Sequence, residues 1–275
     1  MLRTRILSNW MLRTLARGLV HLQPERLGEV SEGFEGVFRM RPCGYSVKYE
    51  LGPNDAVGNI LLWCGPKNFE PVTLPVFAEH AKTARGILDI GANTGLYTLL
   101  ACAANPRTRV IAWEPVPHLH SKLVTNVAHN GFVERCDLRQ SALADEKGIL
   151  PLYVPADTTM ASLNSAHGNH STTPINVTVE TVDETVPEDF PLDLIKLDVE
   201  TYEFQVLCGM RKSLARHRPK LIFECLPTSE PEPIERLLVN DLGYRLFRLT
   251  ERGQIPVSSI RSGESHSDHN YLAVM

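Results

Sequence analysis

One stretch of the chain, residues 87–97, constrains the fold more than any other. It reads Ile-Leu-Asp-Ile-Gly-Ala-Asn-Thr-Gly-Leu-Tyr, an apolar run containing Asp89, then a turn with Gly91 and Gly95, then the start of an apolar helix. A strand that ends in a glycine turn at a helix N-terminus exposes backbone N–H groups and the positive end of the helix dipole to one crevice. The stretch therefore predicts an α/β unit that binds a nucleotide-like ligand.

The spacing of the glycines narrows the choice of ligand. A dinucleotide site needs G-x-G-x-x-G, whose second glycine lets a pyrophosphate approach the backbone, but Asn93 stands at that position. The G-K-[ST] ending of a phosphate-binding P-loop is also missing. The pattern favours a ligand without phosphate, and S-adenosylmethionine fits. Its carboxylate can accept from the helix-terminal N–H groups, and its ammonium can pair with Asp89 or a turn carbonyl.

The next predicted strand ends in a carboxylate. It reads Arg-Val-Ile-Ala-Trp-Glu-Pro, and Glu114 stands where a bidentate acceptor for two ribose hydroxyls is expected. The third strand is followed by Ser141, a small residue that leaves room for an adenine ring between apolar side chains. The predicted cofactor-binding residues are Asp89, Gly91, Ala92, Asn93, Gly95, Tyr97, Glu114, Pro115, Ser141 and Ala142.

Alternating strand and helix patterns predict an α/β, Rossmann-like domain over residues 83–275. The predicted strands are 87–90, 109–114, 136–140, 192–198, 219–225, 244–250 and 271–274. The predicted helices are 95–105, 117–129, 202–215 and 231–241. They form a seven-stranded, mostly parallel sheet with an antiparallel edge and helices on both faces. Two β-like runs, 149–154 and 175–181, predict a β-hairpin inserted at 144–190.

Two smaller parts precede this domain. Residues 27–82 form an N-terminal cover, with a strand-like run at 45–50 and a helical run at 69–82. Residues 1–26 carry a charge of +4 against −8 on the rest of the chain, with apolar and arginine residues on opposite faces of a predicted amphipathic helix. This helix is a membrane-surface anchor through residues 1–20, an organelle-targeting segment, or a helix that packs on the domain or on a second subunit of a homodimer.

Polar residues at the strand ends are the candidates for chemistry. In an open parallel sheet the ligand crevice lies outside the carboxyl ends of the strands. Asp198 ends the strand 192–198, and Glu224 ends the neighbouring strand 219–225. We predict that these two carboxylates are catalytic. Glu200 and the loop residues His269 and Asn270 are the predicted substrate contacts.

Several motifs together resemble those of the FkbM-type methyltransferases, which use S-adenosylmethionine and mostly methylate oxygen. The motifs are Asp89-Ile-Gly-Ala-Asn-Thr-Gly-Leu-Tyr-Thr98, Glu114-Pro-Val-Pro117, Asn126 with Asn130, Ile195-Lys-Leu-Asp-Val-Glu200 with Glu203, Phe223-Glu224 and Asn270-Tyr-Leu-Ala273. The resemblance runs from about Gly65 to the C-terminus. This chain has Thr201 where the family usually has glycine. The resemblance implies a class I methyltransferase fold.

The resemblance also implies a reaction, O-methylation of a small-molecule hydroxyl on a sugar, polyketide or related secondary metabolite. We expect one of Asp198 and Glu224 to accept the proton of that hydroxyl and the other to orient it. Two alternatives remain. A NAD(P)-dependent reductase could use the same architecture, although Asn93 and the missing Tyr-x-x-x-Lys pair weaken this hypothesis. The other is a non-catalytic cofactor-binding protein anchored by its N-terminus.

Composition and spacing argue against other classes of protein. The acidic body, with no Lys/Arg cluster beside aromatics after residue 26, argues against a nucleic-acid partner. The longest apolar runs, 60–64 and 99–104, are far shorter than the roughly 20 residues of a membrane-spanning helix. The six cysteines form no C-x-x-C pair, which predicts free thiols. Asp198, Glu224 and Asn270 offer oxygen ligands, but because no spacing demands a metal we predict none. We expect a cytoplasmic protein, associated with a membrane surface if the basic helix is an anchor.

Overall fold

The structure is a computed structural model that describes residues 35–52, 55–154, 161–163, 174–226, 228–261 and 269–275. The predicted basic helix at 1–26 and the polar loop with His167 and His170 lie outside the described residues. In the part of the chain that is described, no helix is both long enough and apolar enough to cross a membrane.

Within the described residues, one central sheet of eight strands organises the fold. Its order is β12-β11-β13-β10-β9-β3-β4-β5, in which the last five strands are parallel and the first three antiparallel. The strands are β3 (Gly86–Ile90), β4 (Arg109–Trp113), β5 (Cys136–Arg139), β9 (Leu192–Leu197), β10 (Lys220–Glu224), β11 (Arg245–Thr250), β12 (Gly253–Val257) and β13 (Asn270–Val274). The predicted α/β class with a mostly parallel sheet is confirmed.

The sheet has one strand more than the sequence predicts. β12 folds back on β11 as an antiparallel hairpin at the sheet edge, where most of its residues are exposed. Its Pro256 is tolerated because an edge strand does not need every backbone N–H for pairing. The sequence of β12 does not alternate between apolar and polar residues, so hydrophobic periodicity does not predict this strand.

Helices cover both faces of the sheet. On one face lie α1 (Ala56–Asn59, continued by the π-helical segment Ile60–Cys64), α2 (Thr73–Ala81), α3 (Leu96–Ala104) and α4 (Pro117–His129). On the other face lie α5 (Val182–Thr185), α6 (Glu203–Cys208), α7 (Arg211–His217) and α8 (Pro231–Glu235, continued by the π-helical segment Arg236–Asp241). The single helix predicted at 202–215 is two, which are separated by Gly209 and Met210. Residue 209 must be glycine there, because a Cβ would lie 1.9 Å from the Ala144 carbonyl oxygen.

Strand periodicity decides which side chains reach the site. Successive side chains point to opposite faces, so Leu194, Ile222 and Leu272 pack into the core on the cover side, whereas Ile195 and Phe223 pack into the other core. On each of these strands, the residue two positions from Leu194, Ile222 or Leu272 lies on the same face, at the edge where the parallel strands end. These residues are Lys196, Glu224 and Asn270.

The cover is held to the domain by asparagine side chains. It begins with an antiparallel pair, β1 (Gly36–Met40) and β2 (Val47–Leu51). On α4, Asn126 Oδ1 accepts from Glu50 N at 2.7 Å, and the Asn130 side chain accepts from Lys48 N and donates to Lys48 O. Asn126 Nδ2 also donates to the Thr94 carbonyl at 2.8 Å, so one side chain joins the cover to the glycine turn.

The predicted insertion forms a small sheet of its own. β7 (Gly148–Leu152) pairs antiparallel with β8 (Ile175–Glu180), and β8 pairs parallel with the two-residue strand β6 (Ala142–Leu143). Its buried apolar residues form a separate cluster with Val116 and Leu119, at the start of α4. The hairpin therefore packs over the carboxyl edge of the central sheet.

Candidate functional site

A cavity of about 450 Å³ lies at the carboxyl edge of the parallel strands. We call its two ends the turn side and the acid side. The turn side is lined by residues that follow β3, β4 and β5, namely Gly91–Thr94, Glu114, Pro115, Ser141 and Ala142. The acid side is lined by Glu70, Lys196, Asp198, Glu200, Glu224 and Asn270. Cover and hairpin supply apolar walls, including Phe69, Val72, Leu152 and Leu163.

Both glycines of the turn are required by packing. Gly91 has φ +80°, and a Cβ there would lie 1.8 Å from the carbonyl oxygen of Asp198, so the first turn touches the end of β9. Gly95 has φ +92°, and its Cβ would meet the Leu123 side chain on α4 at 2.5 Å. Both φ values fall in the region that side chains with a Cβ disfavour. The glycines bring the turn into contact with Asp198 and with α4.

The N–H groups of the turn are largely used within the protein. Gly91 N and Ala92 N donate to the Trp113 carbonyl, and Gly95 N donates to Ala92 O. Asn93 N donates to Glu114, and Asn93 Oδ1 accepts from Thr94 N. These bonds hold the turn rigidly against β4. The predicted binding of a ligand carboxylate must therefore rely on the N–H groups that follow at the start of α3.

Glu114 is a buried carboxylate held by two backbone N–H groups. Its Oε2 accepts from Asn93 N and its Oε1 from Val116 N, both at 2.8 Å. Burial raises the pKa of Glu114 to about 7, partly opposed by these two bonds. Each carboxylate oxygen has a further lone pair. Two neighbouring hydroxyl donors, such as those of a ribose, suit this arrangement.

The third strand end adds one polar and one apolar surface. Ser141 Oγ donates to Glu180 Oε2 at 2.9 Å, and the Trp113 indole N–H donates to the same oxygen at 3.1 Å. Ala142 is buried beside them and lines the cavity. The Ser141 hydroxyl is thus committed to Glu180, which leaves a small apolar surface for a flat ring.

Three carboxylates meet on the acid side. One oxygen each from Asp198, Glu200 and Glu224 lies within 4.8 Å of the others. Burial, followed by the charge of Asp198, raises the pKa of Glu224 to about 10, against the opposing effect of Lys196. The two predicted catalytic carboxylates and one predicted substrate contact therefore share one small volume.

A buried lysine supports this cluster. Lys196 is 1% exposed, and its Nζ donates to Asp198 Oδ2 at 2.8 Å. Burial opposes its charge, but the carboxylates of Asp198 and Glu70 raise the pKa of Lys196 above its ordinary value. Nζ also lies 5.1 Å from the centre of the Tyr97 ring, and the Tyr97 hydroxyl donates to Glu70 Oε2 at 2.5 Å. The Glu70 segment of the cover is thereby joined to α3 and β9.

A strained turn carries Glu200. Glu200 has φ +54° and Thr201 has φ +75°, two consecutive non-glycine residues in the left-handed region. The buried carboxylate of Glu203 accepts from Val199 N and Thr201 N, and from Ser229 Oγ at 3.0 Å. Burial raises the pKa of Glu203 to about 7. These contacts hold a backbone conformation that a β-branched residue disfavours.

The structure places three predicted site residues away from the cavity walls. Among the described residues that line the cavity, Asp89, Gly95 and His269 do not occur. Asp89 lies inside β3, where its Oδ2 accepts from Thr98 Oγ1 at 2.6 Å, and burial raises its pKa to about 6. His269 is 5% exposed, and its carbonyl accepts from Cys225 N at 2.8 Å. Asp89 and His269 act on neighbouring strands and helices rather than at the cavity surface.

Sequence reasoning missed two charged residues of the site. Lys196 had a readable signal, since a lysine between the apolar residues Ile195 and Leu197 of a predicted buried strand must find a buried partner. Glu70 had none, because it lies in the cover without a motif and reaches the site only through the tertiary fold. The hairpin residues Leu152 and Leu163 likewise line the cavity without a sequence pattern to mark them.

The fold and the site together define a class of protein. The sheet is mostly parallel, β3 ends in a glycine turn, β4 is followed by a carboxylate, and β9 and β10 bring acids to one cavity. This combination is typical of an S-adenosylmethionine-dependent methyltransferase. The model of the methyltransferase FkbM domain matches residues 89–246. The chain belongs to the FkbM methyltransferase family, and this finding gives no support to a reductase.

Individual relatives are distant. Methyltransferase sdnD of Sordaria araneosa is 24% identical over 192 residues, which cover 59% of this chain and 74% of that protein. The crystal structure of methyltransferase FkbM from Methylobacillus flagellatus is 17% identical with a TM-score of 0.46, over 80% of this chain and 53% of that one. This chain thus spans about half the length of that protein. A SAM-dependent O-methyltransferase from Thermotoga maritima is 16% identical with a TM-score of 0.42, over 90% of this chain and 80% of that one.

Proposed function

We propose that the protein methylates a hydroxyl oxygen of a small molecule, such as a sugar or a polyketide. The observation that carries this proposal is that one cavity is lined both by the glycine turn and Glu114 and by the carboxylates of Asp198 and Glu224. When bound, S-adenosylmethionine supplies an electrophilic methyl group on a sulfonium. The chain's own residues must then position the two reactants and remove one proton.

The turn side is the proposed cofactor site. Glu114 accepts the ribose hydroxyls, and Ala142 with Ser141 offers the surface for the adenine ring. Gly91, Ala92 and Asn93 form the floor, and Tyr97 and Pro115 line the cavity beside them. Asp89 and Gly95 contribute through structure, since Asp89 binds Thr98 of α3 and Gly95 allows close packing on α4. Glu114 is buried and accepts from two neutral backbone N–H groups, a setting that also suits neutral hydroxyl donors.

The acid side is the proposed acceptor site. Asp198 accepts the proton of the acceptor hydroxyl, and Glu224 orients that hydroxyl. Lys196 holds Asp198 in place through the 2.8 Å contact. A positioned base contributes about 10² to 10⁴ in rate, whereas alignment of reactants accounts for effective molarities of about 10⁵ to 10⁸ M. The walls from the cover and hairpin therefore matter as much as the carboxylates.

The walls also indicate the class of acceptor. Phe69, Val72, Leu152 and Leu163 are apolar, so the acceptor presents an apolar surface beside its reacting hydroxyl. Carboxylates at the reacting end disfavour phosphate groups, which supports a small molecule over a nucleic acid. We also propose a membrane contact through residues 1–20 and, separately, a homodimer.

The test combines cofactor binding with turnover. Calorimetry measures the affinity of the purified chain for S-adenosylhomocysteine, and labelled S-adenosylmethionine reports methyl transfer to a panel of hydroxyl compounds. We expect Asp198→Asn to bind S-adenosylhomocysteine within about threefold of wild type while turnover falls about 10² to 10⁴-fold. The exposed Asp189 gives a control, Asp189→Asn, with normal turnover.

Two outcomes would contradict the proposal. Unchanged turnover of Asp198→Asn would remove Asp198 as the proton acceptor. A product that mass spectrometry shows to carry the methyl group on nitrogen or carbon would overturn O-methylation.

A further inference from the structure

Four carboxylates line the acid side of the cavity. They are Glu70, Asp198, Glu200 and Glu224. The described residues that line the cavity include one lysine, Lys196. Lys196 Nζ contacts Asp198 Oδ2. The negative charge of Glu70 also raises the pKa of Lys196. In the described part of the chain, four carboxylates therefore lie around one lysine. A cation of matching charge would stabilise this end of the cavity.

The three carboxylates of Asp198, Glu200 and Glu224 have the spacing that a hard cation needs. Their nearest oxygens all lie within 4.8 Å of one another. Around a six-coordinate Mg²⁺ at about 2.1 Å, adjacent ligands are about 3.0 Å apart and opposite ligands about 4.2 Å. Around Ca²⁺ at about 2.4 Å the corresponding distances are about 3.4 and 4.8 Å. The upper limit of 4.8 Å equals the largest separation around Ca²⁺, and small rotations of the carboxylate side chains would bring the oxygens within the range for Mg²⁺.

A second, independent feature points to a ligand at the same place. Asn270 lines the cavity, is 8% exposed, and its Oδ1 is buried without a hydrogen-bond partner in the described structure. Asn270 stands directly opposite Glu224 in the antiparallel pair of β13 and β10, so their side chains lie on one face about 5 Å apart at Cβ. A buried carbonyl-type oxygen without a donor costs about 1 to 3 kcal/mol. A cation or a hydroxyl bound there removes this cost.

From these observations we propose that Asp198, Glu200 and Glu224 bind one divalent cation of the Mg²⁺ type, with Asn270 Oδ1 as a fourth oxygen ligand. The proposal rests on the proposed function and deepens it, because a six-coordinate cation would keep about two positions for acceptor oxygens or water. Each carboxylate has a second oxygen, so Asp198 retains its contact with Lys196. The ligands come from three separate strand ends, which is why their spacing in the sequence indicates no metal.

The test measures metal binding directly. The purified protein with saturating S-adenosylhomocysteine is titrated with Mn²⁺, and electron paramagnetic resonance counts the free ion. We expect one Mn²⁺ per chain, displaced by Mg²⁺. Glu200→Gln and Asn270→Leu should each weaken Mn²⁺ binding at least about tenfold, because each removes one oxygen ligand. The exposed Glu251 provides the matched control, since Glu251→Gln should bind Mn²⁺ as wild type does.

A parallel assay separates this proposal from the proposed function. Chelation with EDTA should lower methyl transfer at least about tenfold, Mg²⁺ should restore it, and the affinity for S-adenosylhomocysteine should stay unchanged. Absence of saturable Mn²⁺ binding, or full methyl transfer in EDTA, would overturn the metal site and leave the methyltransferase intact. Stoichiometric Mn²⁺ binding that both ligand variants weaken would support the site even if the hydroxyl panel yielded no methylated product, a result that counts against the proposed function alone.

Discussion

The two sides of the cavity satisfy their polar groups in opposite ways. On the turn side, the N–H groups of residues 91–95 donate to acceptors within the protein, and Glu114 accepts from two neutral backbone N–H groups, those of Asn93 and Val116. On the acid side, carboxylates crowd around Lys196, and Asn270 Oδ1 has no hydrogen-bond partner in the described structure. The turn side is rigid and complete before a ligand binds, whereas the acid side gains most when one does.

This difference has a physical origin in the chain. The turn side is built from the ends of consecutive strands and the turns that follow them, and backbone N–H groups donate most of the hydrogen bonds around the glycine turn and Glu114. The acid side is assembled from β9, β10, β13 and the cover, whose side chains meet only in the complete fold. A site built from distant segments can hold like charges together because the rest of the fold provides the stability.

The largest expected effect tests the lysine that supports the acid side. Lys196→Met removes the buried cation that contacts Asp198 at 2.8 Å and leaves the neighbouring carboxylates without it. Removing one partner of a buried pair costs about 3 to 5 kcal/mol. We therefore expect the free energy of unfolding in urea to fall by that amount.

The matched control is a lysine in an ion pair at the surface. Lys147 and Glu184 are each more than half exposed, so Lys147→Met should change stability by at most about 1 kcal/mol. Equal stability losses in the two variants would show that the acid side does not depend on its lysine, and the contrast between the two sides would fail.

The second prediction concerns the turn side and its pH dependence. The pKa of Glu114 is raised to about 7, and ribose hydroxyls donate to the ionised carboxylate. Affinity is therefore highest above this pKa and falls as Glu114 takes up a proton. We expect the Kd for S-adenosylhomocysteine to rise up to about tenfold between pH 8 and pH 6.

Two variants identify the group that titrates. Glu114→Gln should bind more weakly at pH 8, by about tenfold, and its Kd should no longer change between pH 8 and pH 6. The exposed Glu134 serves as control, because Glu134→Gln should keep the wild-type slope. A slope that survives in Glu114→Gln would assign the titration to another residue.

The contrast between the two sides also explains what the sequence could predict. The parallel sheet, the glycine turn and Glu114 follow from local patterns, since a strand, its turn and the next helix are contiguous. Asn126 and Asn130 were visible as part of the resemblance, but their bonds to β2 were not. Glu70 and the edge strand β12 lack a local pattern, because their positions depend on packing of the cover and on the pairing of a mostly exposed strand. Site roles remain predictions to be measured.

The smallest expected effect concerns Thr201, at the position where the resemblance to the family implies a glycine. Thr201 has φ +75°, a conformation that costs about 1 to 2 kcal/mol for a residue with a Cβ. Replacement by glycine also removes buried side-chain atoms, which lowers stability for a reason unrelated to strain. The stability of Thr201→Gly is therefore compared with that of Thr201→Ala rather than with wild type. Thr201→Ala loses nearly the same atoms but keeps the Cβ. We expect Thr201→Gly to be more stable than Thr201→Ala by about 1 kcal/mol in urea denaturation.

A threonine in an extended strand should show the reverse order. Thr178 is exposed on β8, so Thr178→Gly should be less stable than Thr178→Ala by about 0.5 to 1 kcal/mol, since glycine gains nothing there and loses more entropy on folding. If alanine were the better residue at both positions, the left-handed turn would not be the source of strain beside Asp198. The turn would then rest on Glu203, whose carboxylate accepts from Val199 N and Thr201 N, rather than on backbone preference. Thr201 in place of glycine thus tests whether the acid side stores strain that the turn side, with its glycines, avoids.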